Sequence, residues 1–62
     1  MWRVSYLDLS SGRVEQKGGF SSDKEAIEWY IKLEKEQKIV ALKLLVWSEY
    51  LQSNRVVEEY VR

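Results

Sequence analysis

Large apolar side chains alternate with polar ones from the start of the chain: Trp2, Val4 and Tyr6 against Arg3 and Ser5. A period of two predicts a half-buried strand over residues 2–9. Ser10-Ser11-Gly12 reads as a three-residue hairpin loop with glycine at the left-handed position. Such a loop sets Leu9 opposite Arg13, Asp8 opposite Val14, Tyr6 opposite Gln16, Val4 opposite Gly18 and Trp2 opposite Phe20. Trp2, Val4, Tyr6, Val14 and Phe20 then share the core face. Arg3, Ser5, Arg13, Glu15 and Lys17 share the other, and a slip of one residue would undo the sorting.

The period changes after Phe20. Ser22-Asp23-Lys24-Glu25 has the S-x-x-E form of a capping box, with acids where the helix dipole favours them. It predicts a helix over about residues 23–37. On a wheel, Ala26, Ile27, Trp29, Tyr30, Ile31 and Leu33 fill one broad arc. Its middle is expected to pack on the sheet. Trp29 on one flank and Ile31 on the other are left as candidates for a second contact.

Residues 39–47 (Ile-Val-Ala-Leu-Lys-Leu-Leu-Val-Trp) are apolar on both alternate sets except at Lys43. That pattern predicts a strand buried on both faces, with a helix as the competing reading. Ser48–Asn54 is loop-like. Residues 55–61 fit either an edge strand or a helical face, and the strand, paired with 39–47, is preferred. The expected fold is α+β: a small antiparallel sheet in β-β-α-β-β order, with one amphipathic helix on one face. A single domain over residues 1–62 follows, since a chain this short holds one core.

Composition narrows the function. There is no Cys and no His, so disulfides, thiol nucleophiles, imidazole bases and the usual zinc ligands are excluded. Glu58 and Glu59 are adjacent, which in a strand or a helix separates their carboxylates rather than pairing them. Ser10, Ser11, Ser21 and Ser22 belong to turns and a cap, with no base to activate them. We therefore expect no enzyme, no cofactor and no metal. The longest apolar stretch, Leu44 to Trp47, is far below the roughly 20 residues a bilayer span needs. No signal peptide is legible at the N-terminus, so cytoplasmic residence and no membrane partner are expected.

Strand, Gly12 turn and basic strand lead into Gly19-Phe20-Ser21-Ser22-x-x-Glu25-Ala26-x-x-Trp29. This order resembles the arm-type DNA-binding domain of phage and transposon integrases. The resemblance covers about residues 2–34. It implies a three-stranded sheet backed by one helix, with Arg3, Ser5, Arg13 and Lys17 facing duplex DNA. Charge weighs against that use. Ten Lys and Arg balance ten Asp and Glu, and the balance holds locally: three cations to two anions in residues 1–20, four to five in 21–38, three to three in 39–62. A DNA-binding face is ordinarily clearly basic.

Eight aromatic residues and the aliphatic run of residues 39–47 exceed what one small core encloses. Surplus apolar surface marks a partner. Trp29, Ile31, Leu45, Trp47, Tyr50 and Tyr60 are the candidate protein-interface residues. The expected function is non-catalytic protein binding by a homodimeric bacterial or phage accessory or inhibitor protein. DNA binding through the hairpin face is the alternative.

Overall fold

The computed structural model describes residues 1–62. Its elements are β1 (Trp2–Asp8), β2 (Arg13–Lys17), α1 (Asp23–Glu34), β3 (Ile39–Ser48) and β4 (Ser53–Val61). All neighbouring strands are antiparallel, and the sheet order is β2-β1-β3-β4. The α+β class, the element order and the single helix are as the sequence pattern predicts. The tail is a strand, and its competing helical reading falls. Four strands stand where the integrase resemblance implies three.

Val4, Ala26, Tyr30, Ile39, Leu42 and Leu44 form the buried core between α1 and the sheet. Trp2, Tyr6, Phe20, Trp29, Leu33 and Tyr60 close its sides. The Ser22 hydroxyl accepts from the Glu25 amide at 3.2 Å and caps the helix. The return half of the box goes one residue further back than the motif specifies: the Glu25 carboxylate accepts from the Ser21 amide at 3.2 Å and from its hydroxyl. The helix ends at Glu34, short of the expected Gln37. Beyond it the Arg62 guanidinium donates to the carbonyls of Glu34 (2.7 Å), Glu36 (2.9 Å) and Ile39 (3.1 Å). The last residue thus ties the β4 end to the helix C-terminus, where a cation meets the dipole favourably.

The hairpin register differs from expectation by one residue. Asp8 pairs with Arg13, Leu7 with Val14, Tyr6 with Glu15, Ser5 with Gln16 and Val4 with Lys17. The turn is four residues, not three, and Asp8 is the cause. Its carboxylate accepts from the Ser10 amide at 2.8 Å and hydroxyl at 2.6 Å, and its carbonyl accepts from the Gly12 amide at 2.8 Å. Leu9 is drawn out of the hairpin, its amide donating to the Lys38 carbonyl at 2.8 Å. An aspartate that bonds its own turn offers the backbone an alternative to the ladder. Gly12 holds the left-handed φ of +69° that was expected of it.

One residue of slip turns β2 over. Val14 leaves the core face, while Arg13, Glu15 and Lys17 move to the helix side. A second irregularity acts on β3. Asp8 pairs with Ile39 and Leu7 with Ala41, so Val40 is an inserted residue and Ile39 joins Leu42 in the core. The expectation that β3 is covered on both faces holds only toward α1.

Candidate protein-docking surface

The sheet face opposite α1 carries no helix and no loop. Cross-strand partners share a face in an antiparallel sheet, so the pairings read this surface directly. One row crosses all four strands: Val14, Leu7, Ala41 and Val61. Every member is apolar. The next row is Gln16, Ser5, Lys43 and Glu59, and every member is polar. Arg3, Leu45 and Val56 form a third row, and Trp47 with Asn54 a fourth.

The face is thus banded: apolar, polar, then largely apolar with Trp47 at the rim. Val14 is 67% exposed, Val61 71%, Val56 47% and Trp47 42%. Leu45 is buried by its neighbours in the sheet although nothing lies above the face. A shallow hollow of about 180 Å³ lies between the first two rows, lined by Ser5, Leu7, Val14, Ala41 and Lys43 together with Tyr6 and Leu42.

The six residues expected at a protein interface are not one patch. Leu45 and Trp47 lie on the open face. Tyr60 pairs with Leu42 on the helix side and packs against the core. Trp29 is half-buried beside β2, with the ammonium groups of Lys17 and Lys32 each 5.0 Å from its ring centroid. Ile31 is exposed on the other flank of α1, and Tyr50 projects from the turn between β3 and β4. Leu7, Val14, Ala41, Val56 and Val61 complete the open face and were missed. Their signal was Leu7, an apolar residue whose period of two places it with Arg3 and Ser5.

The four DNA-facing candidates are divided by the register. Arg3 and Ser5 lie on the open face, whereas Arg13 and Lys17 lie on the helix side. Lys17 is moreover engaged with the rings of Phe20 and Trp29. The cations remaining on the open face, Arg3 and Lys43, share it with Glu59.

No group of three or more Asp or Glu side chains is arranged to hold a metal ion. No helix is long and apolar enough to cross a membrane. The two perturbed carboxylates serve structure. Hydrogen bonds from the Ser10 hydroxyl and amide, with Lys38 at 3.9 Å, hold Asp8 below its ordinary 3.8. The Ser21 hydroxyl and amide, with a smaller contribution from Lys17, hold Glu25 below its ordinary 4.5. Each depressed value means stability that is complete above the unfolded value and lost as pH falls through the folded one. Acid unfolding is therefore expected to begin below about pH 4.5. Asp8→Asn should flatten that limb, as read from urea midpoints across the acid range; an unchanged pH profile would contradict the assignment of Asp8.

The fold and this surface define a two-layer α+β domain with one uncovered sheet face. No family model, curated protein or solved structure matches the chain.

Proposed function

We propose that the chain is a non-catalytic protein-binding module whose docking surface is the open face of its sheet. The observation that carries this reading is the apolar row Val14, Leu7, Ala41 and Val61, which crosses all four strands with nothing above it. Contiguous exposed apolar surface rimmed by polar groups is the mark of an interaction site. Trp47 supplies the kind of aromatic anchor that dominates interface energetics. The size of the domain suits an accessory or regulatory factor acting by occupation of a surface rather than by chemistry.

The duplex-DNA reading loses its geometric support with the division of Arg3 and Ser5 from Arg13 and Lys17. A face with two cations, one anion and an apolar row neutralises few phosphates.

A photo-cross-linking residue placed at Val14, and in a separate chain at Glu28 on the helix, tests the proposal in the native cell. Adducts with protein are expected from position 14 and not from position 28. Adducts from position 28 alone, or none from 14, would refute it.

A further inference from the structure

We infer that the occupant of the open face is a second copy of this chain, packed sheet against sheet about a two-fold axis parallel to the strands. The inference rests on the docking reading above and names the partner for that surface.

Four strands about 4.8 Å apart, read over six residues at about 3.3 Å each, present roughly 400 Å² in projection. Two such faces bring about 800 Å² together before the relief of the side chains is counted, close to the ~1,000 Å² at which specific interfaces begin. The molecule also exposes 4569 Å², against about 4,200 Å² for a compact monomer of this mass. The elongated shape, 34 × 20 × 17 Å, leaves the sheet face a large share of that surface. None of residues 1–62 lies over it.

Charge and shape choose the partner and the axis. The chain is neutral overall, so two copies do not repel at long range. A two-fold axis parallel to the strands keeps each row at its own height and reverses the strand order, placing β2 over the partner's β4 and β1 over its β3. The apolar row then meets itself reversed, valine on valine where Val14 faces the second copy's Val61, and large on small where Leu7 faces its Ala41. In the polar row Lys43 meets Ser5, and Glu59 meets Gln16. No like charges are opposed. In the third row Arg3 meets Leu45. An axis across the strands, through the polar row, would instead set Lys43 on Lys43 and Glu59 on Glu59. The banding is self-complementary in one arrangement and self-repelling in the other.

A dimer at the lower limit of interface size is expected to dissociate on dilution. Sedimentation equilibrium from about 1 µM to about 500 µM should show the mass rising from 7.4 kDa toward twice that value. Val14→Arg and Val61→Arg, at opposite edges of the face and both exposed, should each hold the chain monomeric with its circular dichroism unchanged. Ile31→Arg on the helix flank should leave the dimer intact.

The chain lacks cysteine, so orientation can be read from single introduced thiols. Facing sheets lie about 10 Å apart, too far for a disulfide but within reach of a short bismaleimide. Val14→Cys mixed with Val61→Cys should give the cross-linked heterodimer, and Val14→Cys alone should not cross-link. A 7.4 kDa species at every concentration, loss of the dimer in Ile31→Arg alone, or self-linking of Val14→Cys would overturn the inference. A monomer that still yields position-14 adducts with a different protein would overturn the second copy while sparing the docking surface.

Discussion

Leu42→Ala is expected to lower the melting temperature by at least about 10 °C. Leu42 is 1% exposed in the central strand β3, between Tyr6 on β1 and Tyr60 on β4. Truncating such a leucine costs about 2–5 kcal/mol, from lost transfer energy and the cavity left behind. A domain of this length holds only about 3–9 kcal/mol in total. No disulfide and no second core stands in reserve. Val14→Ala, on the exposed face, should shift the midpoint by a small fraction of that amount in dilute solution. Equal losses at the two positions, measured by thermal circular dichroism, would contradict a core confined to the helix side.

Ala26→Leu should be the second most damaging change, by the opposite mechanism. Ala26 is fully buried where α1 meets the sheet, within the core cluster. Alanine and leucine have similar helix propensity, so the helix itself is indifferent to the exchange. The larger side chain has no room and must push α1 away from β1 and β3. Overpacking of this kind costs about 1–3 kcal/mol. Ile27→Leu, one residue along and partly exposed, is the control and should be nearly silent. A fully stable Ala26→Leu with unaltered near-ultraviolet circular dichroism would mean that the helix does not seat as described.

The sequence announced its elements because each carries a local signal. The capping serines and Glu25 with the arc of Ala26, Tyr30 and Leu33 declare the helix without tertiary help, while β-branching over 39–47 and 55–61 favoured strand over a competing helical reading. Register was not legible in the same way. It is decided by Asp8, whose carboxylate bonds Ser10 and whose side chain approaches Lys38, a residue 30 positions away along the chain. From the sequence, Ser10-Ser11-Gly12 fits a three-residue loop equally well. That single residue of slip reversed β2, moved Val14 from core to surface and divided the proposed DNA face.

Long-range closure was hidden as well. Arg62 carries no local sequence signal, yet it meets three carbonyls at the end of α1 and in the loop beyond. The surplus of apolar residues was legible as a quantity and pointed to a partner. Its location was not, because Trp29 and Tyr60 turned out to close the core's sides while Leu7, Val14, Ala41 and Val61 assembled into a row that only strand pairing reveals. The candidates were divided between the helix flank and strand 39–47, and of them only Leu45 and Trp47 lie on the face that the pairing reveals.

On the proposal made above, this row is covered by the same row of a second chain. Isotope-filtered nuclear Overhauser spectroscopy on an equal mixture of labelled and unlabelled protein tests it most directly. The expected result is contacts between copies from the methyls of Val14 and Leu7 to those of Val61 and Ala41, and none from Ile27 or Ile31. Contacts between copies confined to the helix, or their complete absence at millimolar concentration, would contradict it.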